Sequence, residues 1–233
     1  MSPTTLLLLC AALVAGGTIL AMRSDEAPAA TKAVPAKPRP ANWAQPVTLA
    51  GAPNLHKVGD TLYRGAQPTA EGMKNLSSMG VATVVSLRAF NSDEDELKGL
   101  SMRNHRIRMK TWHPEYEDVV KFLKIATDPA QAPVFVHCQH GADRTGTMCA
   151  IYRIAVQGWT KEEALREMRE GGYGFHEIWG NLPAWIAKLD VGKLRKDAGI
   201  ADPAAAKPAD VQPSGAKPVA SPEAGVVPAA VAP

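Results

Sequence analysis

The chain has 233 residues, room for one ordinary domain with extensions at both ends. Its 26 Lys and Arg against 23 Asp and Glu leave a formal charge of +3, too small to argue for nucleic acid or a strongly acidic partner. Three cysteines exclude a disulfide framework, and Cys138 and Cys149, eleven residues apart across a strand end and a helix, read as free thiols.

The chain opens on an uncharged run, Thr5 to Met22, closed by Arg23. Residues 1–22 therefore read as a signal peptide or an N-terminal membrane anchor, with Ile19-Leu20-Ala21 as a small-residue cleavage site. Either implies an exported or membrane-anchored protein, periplasmic or extracytoplasmic if bacterial, with residues 5–22 as the tether. Residues 23–46 are rich in Pro and Ala and read as a linker that cannot bury enough apolar surface to fold. Residues 199–233 repeat that composition and read as a disordered tail. The folded domain is then 47–198.

Within it, strand and helix patterns alternate. TLYRG (61–65) predicts a short strand. TAEGMKNLSSMG (69–80) predicts a helix with Thr69 as N-cap, Met73, Leu76 and Met79 on one face, and Gly80 as its stop. VATVVSLR (81–88) is a buried β-branched strand, and DEDELKGLSMRN (93–104) predicts a short helix. HRIRMKTW (105–112) alternates basic and apolar residues and predicts a strand with Arg106, Arg108 and Lys110 on its wet face. PEYEDVVKFLKIAT (114–127) is an amphipathic helix stopped at Asp128-Pro129. PVFVHC (133–138) is the most apolar strand, followed by a helix from about Arg144 to Val156. Thr160 with Glu163 forms a capping box for a helix ending at Gly171, and one last helix spans 182–199.

The alternation predicts an α/β fold, a small mostly parallel sheet with helices on both faces. Ligands of such sheets bind beyond the carboxyl ends of the strands. That rule singles out Arg88, Trp112-His113 and His137-Cys138 together.

The loop HCQHGADRTG (137–146) carries the chemistry. A strand feeding a helix through a tight Gly-containing turn points successive N–H groups into one concavity, and the helix adds its positive end. The concavity suits a tetrahedral dianion. Arg144, six residues after Cys138, can grip two of its oxygens with a planar fork. The same cradle favours the thiolate form of Cys138, to which Thr145 can donate its hydroxyl. Gly141 and Gly146 permit the turn and a close helix–strand approach. These parts make a covalent phosphoryl-transfer site that needs neither metal nor cofactor. The thiolate attacks phosphorus, Arg144 and the amides of Gln139, His140, Gly141, Ala142, Asp143 and Arg144 hold the oxygens, and water then hydrolyses the cysteinyl-phosphate. A buried structural Cys138 is the plain alternative, weakened by Gly141, Arg144 and Thr145 at their offsets. A zinc site from His137, Cys138 and His140 lacks a second ligand pair at standard spacing.

HCQHGADRT matches the H-C-x5-R-[S/T] signature of cysteine-dependent protein tyrosine and dual-specificity phosphatases. LYRGAQPTAEGMKNLSSMGVATVVSLR (62–88) resembles the first part of compact, atypical dual-specificity enzymes of bacteria, plants and fungi. The resemblance, over roughly Asn54 to Leu189, implies the cysteine-phosphatase fold and a phosphorylated protein as substrate, or a phosphorylated inositol or lipid. It also implies an acid for the leaving group, usually Asp on a mobile W-P-D loop. This chain has WHPE (112–115) instead, so Glu115 is one candidate and His113 a neighbouring substrate contact. Asp143 is the other, since C-x-x-G-x-D-R resembles bacterial lipid/tyrosine phosphatases and myotubularin-like phosphoinositide phosphatases, whose loop aspartate donates the proton. Asp93 is a third carboxylate leaving a strand at the same edge. Arg88 and His176 are further possible substrate contacts. A rhodanese-like sulfurtransferase and a phosphate-binding pseudophosphatase are the rival readings.

Overall fold

The protein is described by a computed structural model over residues 39–201. The expected signal or anchor and the greater parts of linker and tail lie outside the described residues. Among the described residues no helix is long and apolar enough to cross a membrane.

Two short strands that the sequence pattern does not reveal, β1 (Gln45–Pro46) and β2 (His56–Lys57), precede β3 (Leu62–Gly65). The helix α1 (Ala70–Ser78) follows, with Thr69 Oγ1 accepting from Gly72 N as its cap. Then come β4 (Thr83–Ser86), β5 (Arg103–Arg106), α2 (Tyr116–Thr127), β6 (Val134–His137) and α3 (Asp143–Ala155). The chain closes with α4 (Lys161–Glu170), a 3-10 turn at Glu177–Trp179, α5 (Asn181–Lys188) and α6 (Val191–Ala198).

The sheet order is β1-β2-β3-β6-β4-β5, antiparallel at the β1-β2-β3 edge and parallel from β3 onward. Alternation along the strands sends side chains to two cores. Leu62, Val85, Val134 and Val136 pack with α2 through α6, whereas Val84 and Phe135 pack with Met73 and Leu76 of α1. Helices therefore cover both faces. The register places Gly65, Ser86 and His137 at one level, so the chain leaves three adjacent parallel strands at the same edge.

The structure corrects four local expectations. Residues 94–99 form turns rather than a helix, and Arg103 and Asn104 already belong to β5: Leu97 N reaches Asp93 O, but Gly99 at φ +80 ends the turn before a second can build on it. The strand expected over 105–112 lies at Arg103–Arg106. Past it Ile107 and Met109 stay buried, keeping the alternation without the ladder, and of the three basic residues only Arg106 is in the strand. The expected last helix is two, because Leu189 is extended and the Asp190 carboxylate accepts from Lys193 N, capping a new helix. Residues 39–46, assigned to the linker by composition, belong to the fold: Trp43 and Ala44 are buried and β1 pairs with β2.

Candidate active site

The loop from Cys138 to Ala142 leaves the central strand β6 and enters α3, the predicted strand–loop–helix arrangement. Cys138 is only 2% exposed, so its sulfur lies beneath the loop rather than on its rim. Gly141 turns with φ +71, and a Cβ there would stand 2.5 Å from the Gly65 carbonyl. Only glycine lets the loop cross the end of β3 this closely. Gly146 serves a different contact from the one expected. Its missing Cβ faces Met168 Cγ at 3.1 Å, so it brings α3 close to α4 rather than to a strand.

Two buried groups brace the loop from below. His137 donates or accepts at Nε2 with Asp93 Oδ2 at 2.8 Å, both side chains fully buried. Burial alone would push the Asp93 carboxyl up, but the hydrogen bonds from His137 and Gln67 outweigh it and hold it below the usual carboxylate range. Asp93 is therefore a loop brace, which removes it as a proton donor to substrate. Gln67 joins this network outward: its Nε2 donates to Asp93 Oδ1 (3.0 Å) and its Oε1 accepts from Arg88 Nη1 (2.8 Å). Arg88, expected as a substrate contact, is thus tied to Gln67. Arg64, 2% exposed, donates to Gly141 O at 2.7 Å and stacks over the Tyr173 ring at 3.6 Å.

Arg144 is half-buried and anchored by Nη1 to Leu87 O (3.2 Å), which fixes one arm of its fork against the end of β4. The Thr145 hydroxyl is fully buried without a hydrogen-bond partner among the described residues, so the expected bond to Cys138 is not formed. Asp143, 7% exposed, opens α3 and meets His176: His176 N donates to Oδ1 at 2.9 Å, and His176 Nδ1 lies 2.9 Å from Oδ2. The fold thus brings two predicted residues, 33 positions apart, into direct contact. His140 stands beside them on the rim, its ring 5.6 Å from that of His176. One donor atom each from His140, Asp143 and His176 lies within 4.8 Å of the others, a metal-capable grouping that the sequence spacing does not suggest.

The WHPE segment is placed differently. Lys110 and His113 bridge a tight turn, with the Thr111 carbonyl accepting from Asn181 Nδ2. Glu115 is exposed at the start of α2 and makes no side-chain cap. Among the described residues no hydrogen bond joins His113 or Glu115 to the loop.

Sequence reasoning missed Asn54, Arg64 and Gln67. Arg64 carried a signal, a charge inside a short apolar strand. Asn54, at φ +55, carried none; its amide donates to both His140 O (3.0 Å) and Tyr173 O (2.9 Å), tying the loop to the segment that leads to His176. Beside the loop, an open cleft of about 820 Å³ is lined by Gln67, Gln139, His140, Asp95 and Glu96 among others. Exposed apolar side chains stand on the loops after β4 and β5 and on the segment before α5, namely Phe90, Trp112 and Ile178. A buried thiol beneath a turn of amides, closed by an anchored arginine, is built to bind a tetrahedral anion against a nucleophile.

Comparison with known proteins agrees with that chemistry. Residues 35–178 match the family described as DSP-PTPase phosphatase fused to NAD+ kinase. The dual specificity protein phosphatase TpbA of Pseudomonas aeruginosa is 36% identical over 201 residues, covering 83% of this chain and 85% of that protein. A crystal structure of a P. aeruginosa TpbA variant in complex with pTyr superposes with a TM-score of 0.63 at 33% identity, covering 70% of this chain and 99% of the other. An inositol diphosphatase of Arabidopsis thaliana is 29% identical over 126 residues, covering 51% of this chain and 61% of that protein. The expected resemblance is therefore met along most of the folded domain, and the sulfurtransferase alternative falls away. The chain belongs to the cysteine-dependent dual-specificity phosphatase family.

Proposed function

We propose that the protein hydrolyses phosphomonoesters on proteins, phosphotyrosine foremost, through a cysteinyl-phosphate on Cys138. In this reading the Cys138 thiolate attacks phosphorus while the amides of Gln139 to Arg144 and the Arg144 guanidinium hold the three equatorial oxygens. The bond to the leaving oxygen breaks as that oxygen takes a proton. Asp143 supplies it, with His176 beside it to exchange the proton with solvent. Glu115 is the second choice for the donor, since the segment that carries it leaves the same edge of the sheet. Water then attacks the cysteinyl-phosphate and releases inorganic phosphate and the thiol. The observation that carries the reading is the buried Cys138 under the Gly141 turn, with Arg144 opening the helix after the same loop and anchored to the end of β4.

The Cys138→Ser variant is expected to lose turnover of an aryl phosphate by on the order of 10³-fold or more. Full activity in that variant would refute the mechanism. Asp143→Asn and Glu115→Gln, compared across pH, assign the donor, because only the true donor's variant loses the limb of the rate profile that needs the acid protonated. An inositol phosphate substrate is the second reading, favoured by the inositol diphosphatase relative. Side-by-side turnover of phosphotyrosine, phosphoserine and inositol polyphosphate separates the two. Tight phosphopeptide binding with no turnover of any of them would point instead to a phosphate-binding protein. Export of the full chain rests on the uncharged run Thr5–Met22, and recovery of the protein in the cytosol alone would overturn it.

A further inference from the structure

We propose that His140, Asp143 and His176 form a binding site for a zinc-class divalent cation at the mouth of the phosphate loop, and that occupancy reversibly inhibits the enzyme. Two imidazoles and one carboxylate are a ligand set that zinc accepts, and three protein ligands leave a fourth position open. Their donor atoms already lie within 4.8 Å of one another. Around one zinc ion, ligand atoms at about 2.1 Å stand roughly 3.4 Å apart, so closure by about an ångström at the two rim histidines completes the site. Both histidines are exposed, so their rings can turn without displacing packed neighbours, and the His176 ring exchanges its contact with Asp143 for the metal. Their backbones are held in place: Asn54 clamps the carbonyls of His140 and Tyr173, and Asp143 Oδ1 accepts from His176 N.

The consequence for catalysis follows from where the ligands sit. His140 and Asp143 belong to the loop that cradles phosphate, two and five residues after Cys138. A cation there takes the Asp143 carboxylate and the His176 ring out of proton transfer. The inhibition rests on the phosphatase reading above, whereas the binding does not.

The test is titration of the full chain with Zn²⁺ alone, followed by calorimetry, and with Co²⁺ followed by its visible absorption. The wild type is expected to bind one equivalent, with a Co²⁺ spectrum showing imidazole and carboxylate ligands and no thiolate charge-transfer band. His140→Gln and His176→Gln are each expected to weaken binding by at least about tenfold. Cys138→Ser is expected to bind as the wild type does. Absence of saturable binding would overturn the site, as would binding lost in Cys138→Ser but kept in both histidine variants, which would put the metal on the thiolate. Zn²⁺ should inhibit aryl-phosphate turnover with reversal by chelator, and each histidine variant should need correspondingly more Zn²⁺ relative to its own uninhibited rate. Binding at the three ligands without inhibition would overturn the regulatory half. A chain with no turnover at all would refute the phosphatase reading and leave the calorimetric result standing.

Discussion

Gly141 and Gly146 lie five residues apart in one loop and helix, yet they answer to different neighbours. At Gly141 an added Cβ meets backbone, the Gly65 carbonyl at 2.5 Å and Ala66 N at 2.6 Å, with φ at +71 besides. Neither neighbour can yield without moving β3, so Gly141→Ala must displace the loop itself. A shift of about an ångström in a catalytic loop costs on the order of 10²-fold in rate, and that loss in kcat/KM on an aryl phosphate is the expected outcome. At Gly146 the neighbour is a flexible side chain rather than backbone, Met168 with Cγ at 3.1 Å and Cε at 3.6 Å, and φ is not in the left-handed region. Gly146→Ala should therefore cost less than about tenfold. Equal losses in the two variants would refute the distinction. Cys138, Gly141 and Arg144 were legible because a single loop holds all three at fixed spacing. The bracing roles of Asp93, Arg64 and Asn54 were not, because each meets the loop from a distant part of the chain. The role of Asp143 was half legible: its place beside Arg144 is in the sequence, but its contact with His176 exists only in the fold.

The helices α3 and α4 are joined by a buried ion pair that the sequence did not announce. Arg153 donates from Nε to Glu167 Oε2 (2.7 Å) and from Nη2 to Oε1 (2.8 Å), with both residues under 5% exposed. Ala44 N and the Tyr173 hydroxyl also donate to Glu167 Oε1, so one carboxylate joins four segments. Removing one member leaves the other charged and unpaired in the interior, a loss of about 3–5 kcal/mol expected for Glu167→Gln or Arg153→Met. The pH dependence has a definite sign. Burial would push the Glu167 carboxyl up, but Arg153, Ala44 N and Tyr173 outweigh it, so its folded value lies below the unfolded value of about 4.3. The pair's contribution is therefore complete above that value and is lost as pH falls through the depressed folded one. Denaturant unfolding between pH 7 and pH 3 should show a steeper acid loss in the wild type than in Glu167→Gln; parallel curves would refute it. Elsewhere the elements were readable where signals are local. Thr160 and Glu163 form the expected capping box, with both bonds present. The helix expected at 93–104 stops at Gly99 after a single turn, whose first residue, Asp93, turns its carboxylate inward to His137 and Gln67. A local preference worth little did not carry the chain past that glycine.

At the scale of the molecule, the class of the sheet and the location of the active edge followed from the sequence, since alternating strand and helix patterns admit few sheets, whereas the strand order and the antiparallel β1-β2 edge came only with the fold. The N-terminal limit did not, because Pro and Ala composition cannot distinguish a free linker from one held down by contacts made far along the chain. Those contacts are specific. Arg39 donates to the Ala44 carbonyl, to the Tyr173 hydroxyl and to the Gly171 carbonyl. Trp43 is 8% exposed, and Ala44 N caps the Glu167 carboxylate. The segment thus lies over the Tyr173 side of the structure, where Arg64 stacks on the same ring beneath Gly141. Its removal should therefore affect stability first and the phosphate loop second. A chain beginning at Arg39 keeps every one of these contacts and is the reference for the shorter one. A chain beginning at Val47 loses the burial of Trp43, about 2 kcal/mol, and one of the donors to Glu167. That loss corresponds to a fall of roughly 4–8 °C in Tm for a domain of this size. The shorter chain should also turn over aryl phosphate more slowly, since Tyr173, on whose ring Arg64 stacks, loses its contact with Arg39. Identical melting of the two shortened chains would return residues 39–46 to the linker.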